Sequence, residues 1–194
     1  MVHKLFDIIP SLSSNQLYII GVDGLSRSGK TTFVNQLEKE LIKRGVDFCT
    51  FHMDNHIVKK NERYQTGFED WYEYYQLQWE VEWLRDHLFE KVRCSSHLTL
   101  PYYDNESDDR EYRKVDLPNE GVILIEGVFL QRKEWQPYFN HLIFLDCPRN
   151  RRFAREDPSA QINMEKFKER YWKAEDYYLR NVKPRKSANY IVNT

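Results

Sequence analysis

A glycine-rich turn between a predicted strand and a predicted helix constrains this chain more than any other feature. Residues 17–22 are nearly all apolar and β-rich, as expected of a strand covered on both faces. Beyond the turn, apolar side chains recur at helical spacing from Phe33 to Ile42, and Gly45 is placed as a C-terminal stop. The turn matches G-x-x-x-x-G-K-[ST] without a mismatch, as Gly24-Leu25-Ser26-Arg27-Ser28-Gly29-Lys30-Thr31. A strand, this pattern and a helix in direct succession predict a phosphate-binding loop, or P-loop.

The residue types of the turn fit the chemistry of a nucleoside triphosphate. Glycines let the backbone approach the phosphates, so that amide groups and the start of the helix face the anion. Lys30 reaches the β- and γ-phosphates, and the hydroxyl of Thr31 can ligate Mg²⁺. The alternative is a coincidental turn, which the flanking strand and helix disfavour. We predict ATP and Mg²⁺ as ligands, with the phosphates bound by Gly24, Ser26, Arg27, Ser28, Gly29, Lys30, Thr31 and Thr32.

Strands and helices alternate along the rest of the chain. Short apolar runs predict further strands at residues 47–53, 122–125, 141–145 and 190–192. Helical periodicity predicts helices at residues 69–92, 149–156 and 163–181. In the first of these, aromatic side chains recur at i, i+4 spacing (Trp71, Tyr75, Trp79 and Trp83), which indicates a packing face. The alternation predicts an α/β, three-layer P-loop NTPase fold with a mainly parallel sheet and helices on both faces.

The segment between the second and third predicted strands ends in a polar stretch that lacks the helical periodicity of residues 69–92. Residues 98–119 are rich in Asp, Tyr and Arg and alternate without helical period, which predicts a β-hairpin flap near the acceptor. A short lid is expected over residues 149–160. No linker, repeat or low-complexity tract is visible, so we expect one domain over residues 1–194.

Two carboxylates follow predicted strands. Asp54 comes after the second strand and Glu126 after the third, and ligands of open α/β sheets lie beyond these carboxyl ends. Phosphoryl transfer needs a metal-held phosphate and a carboxylate that accepts the proton of the acceptor hydroxyl. Asp54 is the candidate base, and Thr31, Asp54 and Glu126 are the candidate Mg²⁺ ligands. The alternative for both carboxylates is a turn or helix N-cap role.

An arginine cluster follows the fourth predicted strand. Arg149, Arg151, Arg152 and Arg155 place four guanidinium groups within seven residues, where a loop would cross above the phosphates. Arg152 and Arg155 share a helix face and could clamp the transferring phosphoryl group. A solvated charged face is the alternative. Arg152 and Arg155 therefore join Lys30 and Asp54 as candidate catalytic residues.

Composition limits the partners. The chain has 29 basic and 30 acidic side chains and a net charge of −1, which gives no electrostatic reason to bind nucleic acid or an anionic membrane. Three scattered cysteines form no disulfide pattern, and residues 1–7 lack the apolar core of a signal peptide. We expect a cytoplasmic protein whose partner is a small molecule, and the sequence leaves a homo-oligomer open.

Several segments between Tyr18 and Val192 resemble the motifs of a known protein family. They are Gly21-Val22-Asp23-Gly24, Ser28-Gly29-Lys30-Thr31-Thr32, Asp54, Pro101-Tyr102-Tyr103-Asp104, Glu126-Gly127, Arg152-Phe153-Ala154-Arg155, Lys183-Pro184 and Ala188-Asn189-Tyr190-Ile191-Val192. The chain resembles the uridine kinase and phosphoribulokinase group of P-loop kinases. The resemblance implies that Asp54 is the base toward a sugar hydroxyl and that Glu126 helps to place Mg²⁺. It also implies an acceptor pocket with Asp70, Tyr103 and Arg110.

Two classes of function remain to be distinguished. The first is an ATP-dependent kinase that phosphorylates a hydroxyl of a small metabolite, with a nucleoside such as uridine as the favoured acceptor. The second is a P-loop switch or regulatory module without a small-molecule acceptor, which would need a base-reading motif and an ordered switch after a strand. The sequence shows neither feature. A nucleic-acid kinase would need an extended basic track, which the charge balance argues against.

Overall fold

Parallel strands alternate with helices in the computed structural model, which describes residues 17–194. The strands are β1 Leu17–Gly24, β2 Phe48–His52, β3 His97–Asp104, β4 Asp109–Asp116, β5 Gly121–Gly127, β6 His141–Asp146 and β7 Tyr190–Asn193. The helices are α1 Lys30–Lys43, α2 Lys60–Arg63, α3 Asp70–Gln76, α4 Val81–Leu84, α5 Arg149–Phe153, α6 Pro158–Gln161, α7 Met164–Lys166, α8 Lys173–Asn181 and α9 Pro184–Ser187. The predicted lack of a signal peptide concerns residues 1–7, which lie outside the described residues.

Five strands form one sheet in the order β2-β5-β1-β6-β7, and every pairing in it is parallel. Parallel strands need crossover connections, and α1 lies in the crossover from β1 to β2 while α5 to α9 lie in the one from β6 to β7. Because the strands run the same way, their carboxyl ends meet at one edge. There, Glu126 of β5 lies opposite both His52 of β2 and Val22 of β1. The register thus gathers the segments that follow β1, β2 and β5.

Two apolar cores cover the two faces of the sheet. Successive side chains of a strand point to opposite faces, so Ile20 and Leu124 join one core while Ile19 and Ile123 join the other. The first core is closed by α1, whose buried residues include Leu37. The second core is larger and aromatic, and α3 and α8 pack into it. The predicted three-layer α/β fold with helices on both faces is confirmed.

The predicted β-hairpin is present. Strands β3 and β4 pair antiparallel from His97 opposite Asp116 to Asp104 opposite Asp109. They form a separate two-stranded sheet. The hairpin packs against the turn of 3₁₀ helix at Met53–His56, where Nδ1 of His56 donates a 2.8 Å hydrogen bond to the Pro101 carbonyl.

The single aromatic helix predicted over residues 69–92 is wrong, because the chain leaves the helix at residues 77–80 between α3 and α4. In a continuous helix the carbonyl of Tyr75 would accept from the amide of Trp79. Here Arg132 donates to that carbonyl instead, at 2.6 Å. The indole of Trp79 donates to the Met53 carbonyl at 2.8 Å, and the carbonyl of Gln78 accepts from the amide of Val58. Long-range hydrogen bonds therefore replace the helical ones.

The helix predicted over residues 163–181 is present as one continuous helical segment. It consists of α7, a π-helical stretch at Phe167–Trp172 and α8, and it is called the C-terminal helix below. The shorter helix predicted at 149–156 is observed as α5, Arg149–Phe153. Among residues 17–194, no helix is both long and apolar enough to cross a bilayer.

Candidate active site

The predicted P-loop joins β1 to α1 at the carboxyl edge of the sheet. Gly29 precedes α1 in a left-handed conformation, with φ of 96°, which glycine adopts without strain. No side chain caps this helix, so its first amide groups are available to an anion. The loop closes on itself through the amide of Ser28, which donates to the Leu25 carbonyl at 3.1 Å. This geometry is that of an anion cradle at a helix N-terminus.

A cavity of about 860 Å³ opens over this loop. From the P-loop it is lined by Ser26, Arg27, Gly29, Lys30, Thr31 and Thr32. The candidate residues Asp54, Glu126, Arg152 and Arg155 line the same cavity. Gly24 and Ser28 of the predicted phosphate-binding set are buried and do not line it, and the Ser28 hydroxyl has no partner within the described part of the chain. The structure thus brings four separate segments of sequence together around one space.

Glu126 is the centre of a polar group at the cavity floor. Its Oε1 accepts from the Thr31 hydroxyl at 3.3 Å and lies 2.9 Å from Nδ1 of His52. The hydrogen bond to Glu126 raises the pKa of His52 above its ordinary value. The second carboxylate oxygen, Oε2, is buried and has no hydrogen-bond partner within residues 17–194. A buried, unpartnered carboxylate oxygen beside a threonine hydroxyl is a donor set that fits Mg²⁺.

Asp54 follows β2 at the rim of the cavity. The Asp54 residue is partly exposed, but the surrounding protein desolvates its carboxyl group. This desolvation raises the pKa of Asp54 above its usual range. The positive charge of Lys30 opposes this rise, whereas the negative charge of Glu126 adds to it. Lys30, Asp54 and Glu126 all line the same cavity. Lys30 itself donates to the Leu25 carbonyl at 3.2 Å.

The two candidate lid arginines differ in their surroundings. Arg155 is exposed and donates one hydrogen bond, at 2.9 Å, to the carbonyl of Arg27 in the P-loop. Arg152 is buried and forms a bidentate ion pair with Glu175 of the C-terminal helix. Arg152 also donates to the Ser26 carbonyl at 3.0 Å. Both side chains therefore contact the loop backbone, but only Arg155 is open to solvent.

The residues predicted for the acceptor pocket do not line this cavity. Asp70 is exposed at the first turn of α3. The hydroxyl of Tyr103 donates to Asp108 at 2.9 Å, and Arg110 pairs with Glu80 at 2.6 Å. Their contact with an acceptor stays a prediction.

Sequence reasoning missed the side of the cavity that the C-terminal helix supplies. Tyr74 of α3 packs edge-on against Tyr171, with ring centroids 4.9 Å apart, and both line the cavity with Lys166. Burial raises the pKa of Tyr74, the charge of Asp54 raises it further, and both residues line the same cavity. The periodic aromatic pattern of α3 indicates only a packing face, so the sequence carried no signal for this wall.

A buried carboxylate at the base of the loop was also missed. Asp23 is fully buried and accepts from the amide of Gly24, the side chain of Gln131 at 2.8 Å and the hydroxyl of Tyr178 at 2.5 Å. Burial raises the pKa of Asp23, and these hydrogen bonds oppose the rise. Its place at the end of an apolar strand, next to the P-loop glycine, was the available signal.

A second hollow of about 430 Å³ lies behind the loop, bordered by Arg151, Arg185 and Thr194. The Thr194 hydroxyl donates to the Ser28 carbonyl at 2.9 Å, which joins this hollow to the P-loop. In the described residues, no three or more His, Cys, Asp or Glu side chains form a metal cage. A P-loop cation is held largely by phosphates and water.

The loop, the parallel sheet and the strand-end carboxylates define a P-loop α/β protein. Residues 19–191 match the model of the phosphoribulokinase / uridine kinase family, and the chain belongs to that family. A solved structure of a possible uridine kinase from Bacillus stearothermophilus is similar, with 47% identity and a TM-score of 0.87, covering 98% of this chain and 96% of that one. The phosphoribulokinase of Rhodobacter spheroides shares the fold, with 13% identity and a TM-score of 0.65 over 93% of this chain and 71% of that one.

A curated uridine kinase from Staphylococcus aureus (strain JH9) is 27% identical over 141 residues. The match covers 71% of this chain and 65% of that relative, so the chain spans somewhat less than two thirds of the relative's length.

Proposed function

We propose that this protein is a phosphotransferase that moves the γ-phosphoryl group of ATP to a hydroxyl of a small metabolite, with a nucleoside such as uridine as the first acceptor to test. The observation that carries this proposal is the shared cavity of the P-loop, Lys30, Asp54 and Glu126. Family membership and the names of the similar proteins support the same class of reaction. They do not favour the alternative of a regulatory switch module.

The chain's own residues supply the steps of the reaction. The amide groups of the loop and Lys30 bind the phosphates, and Asp54 accepts the proton of the acceptor hydroxyl. The freed oxygen forms a bond to the γ-phosphorus while the bond to the β–γ bridging oxygen breaks, and ADP leaves with that electron pair. The raised pKa of Asp54 brings the base nearer to neutral pH, where proton transfer is most effective.

Thr31 and Glu126, with Asp54 nearby, would hold the Mg²⁺. When bound, the ion offsets the charge of the phosphate oxygens. The unpartnered Oε2 of Glu126 supports this assignment. The nucleoside part of ATP would extend toward the hollow that Thr194 joins to the loop, and the acceptor would lie against Tyr74 and Tyr171.

An acceptor panel tests the proposed function. Release of ADP is measured with nucleosides, pantothenate, sugars and sugar phosphates, and at least one acceptor is expected to accelerate it well above the rate with ATP alone. Slow hydrolysis that no acceptor accelerates would instead identify a switch protein.

The nearly isosteric change Asp54→Asn tests the base. It should leave ATP binding intact and lower turnover by about 10²–10⁴-fold, because the amide cannot accept the proton. Asp47→Asn is the matched control, since Asp47 is exposed and precedes the amino end of β2, away from the cavity. An Asp54→Asn enzyme with normal turnover would remove Asp54 from the base role. Tyr103→Phe, measured by the KM of the acceptor, tests the predicted acceptor contact.

A further inference from the structure

Almost all N–H donors of the Arg152 guanidinium form hydrogen bonds within the protein. Its Nε donates to the Cys147 carbonyl at 3.1 Å, and Nη1 donates to the Ser26 carbonyl at 3.0 Å. Nη1 and Nη2 donate to the two carboxylate oxygens of Glu175 at 2.6 and 2.8 Å. A guanidinium has five N–H donors, so one is left. A direct clamp on a phosphoryl group needs two free parallel donors, and this arrangement does not offer them.

The contact with Ser26 fixes part of the phosphate-binding loop. In a trans peptide the C=O and the following N–H point in opposite directions, and none of the described peptide bonds is cis. Holding the Ser26 carbonyl on Arg152 therefore directs the amide of Arg27 away from Arg152. Amide direction is what an anion cradle depends on. The orientation of this peptide is thus set by a side chain 126 residues away in sequence.

The carboxylate that holds Arg152 belongs to the C-terminal helix. Glu175 and Arg152 expose only 2% and 6% of their side chains, so the ion pair is shielded from water and salt. Three residues further along the same helix, Tyr178 donates to Asp23, which precedes the first glycine of the loop. The C-terminal helix is therefore linked to the loop at two buried points, through Arg152 and through Asp23.

We infer that Glu175 is a positioning residue, which holds Arg152 and through it the Ser26–Arg27 peptide in the orientation that binds a triphosphate. The inference rests on the proposed function only in taking ATP as the ligand of the loop. Removing Glu175 leaves a buried cation without its partner, and Arg152 then turns toward the cavity and releases the Ser26 carbonyl.

Binding of ATP without acceptor provides the first test. Titration calorimetry on Glu175→Gln should show ATP bound about tenfold more weakly than by the unaltered protein, which corresponds to one charge-assisted contact. If Arg152 instead clamps phosphate directly, freeing it from Glu175 leaves ATP binding unchanged or tighter, and that result would overturn the inference.

A double variant separates positioning from stability. Replacing a buried ion pair by apolar side chains of similar volume is often neutral or stabilising, so Arg152→Met with Glu175→Leu should melt close to the unaltered protein. It should still bind ATP weakly, because nothing holds the Ser26 carbonyl. If stability and ATP affinity recover together, the pair is merely structural and the inference is wrong.

Asp176→Asn is the matched control. Asp176 pairs with Arg149 and so also joins the C-terminal helix to α5, but within the described residues neither side chain hydrogen-bonds to the P-loop or lines the cavity. Its ATP affinity should be unchanged, and a loss equal to that of Glu175→Gln would overturn the inference. Failure of the proposed function shows differently: no acceptor accelerates ADP release by the unaltered protein, while the effect of Glu175→Gln on ATP binding persists.

Discussion

Replacing Tyr178 by phenylalanine removes one hydroxyl from the base of the P-loop and leaves the ring in place. That hydroxyl donates to the buried carboxylate of Asp23 at 2.5 Å and accepts from the amide of Gln131 at 3.0 Å. Tyr178 is 0% exposed, and its ring packs edge-on against Phe129 with centroids 5.1 Å apart. Because phenylalanine keeps that packing, the change tests the two hydrogen bonds rather than a cavity.

The magnitude follows from what each partner loses. A hydrogen bond to a charged group contributes about 1.5–3 kcal/mol, and a buried amide left without an acceptor costs about 1–3 kcal/mol. Asp23 keeps three other donors, the amides of Gly24 and Leu130 and the side chain of Gln131. We therefore expect a loss of about 3 kcal/mol in the free energy of unfolding. For a domain of this size that lowers the melting temperature by about 10 °C.

Urea unfolding with an unchanged slope, together with thermal melting, measures this loss. Tyr177→Phe is the matched control, because Tyr177 neighbours Tyr178 on the same helix and is partly open to solvent. It should change stability by no more than about 0.5 kcal/mol. If Tyr178→Phe costs no more than this control, the Asp23 network does not stabilise the base of the loop and the reasoning is refuted.

Four further changes test the site and the core. Lys30→Ala should weaken ATP binding at least about tenfold in a direct titration, because it removes the loop's charge toward the phosphates; unchanged affinity would contradict its placement. Arg155→Ala should lower turnover about tenfold or more with a smaller effect on ATP affinity, and equal loss of both would contradict a lid role. Glu126→Gln should raise the Mg²⁺ concentration for half-maximal activity about tenfold or more, whereas an unchanged Mg²⁺ dependence would remove Glu126 from the metal site. Burial lowers the pKa of His141 in the folded protein, so on acidification the unfolded chain binds a proton at this histidine first. Stability should therefore fall as the pH drops through the ordinary histidine range. In His141→Leu, the free energy of unfolding measured with urea should depend less on pH in that range, and an unaltered pH dependence would refute this.

Much of the candidate site was predictable because its parts are local signals. The loop pattern is contiguous in sequence, and Asp54 and Glu126 each follow an apolar run that ends at the same edge of a parallel sheet. The structure places both carboxylates with Lys30 around one cavity. The acceptor residues were harder to predict, since Tyr103 and Arg110 lie on a hairpin whose docking depends on distant contacts, and neither lines that cavity.

The sequence by itself determined the order of the strands, the P-loop and the parallel sheet, because periodicity, glycine placement and strand-end carboxylates act over a few residues. Only the tertiary structure decided where the aromatic helix breaks, since Arg132 takes the carbonyl of Tyr75 from 57 residues away. Only the tertiary structure gave Arg152 its partner Glu175 and Asp23 its partner Tyr178, 155 residues apart. The physical reason is that a buried charge must find a partner wherever the fold brings one, and no local pattern encodes that choice.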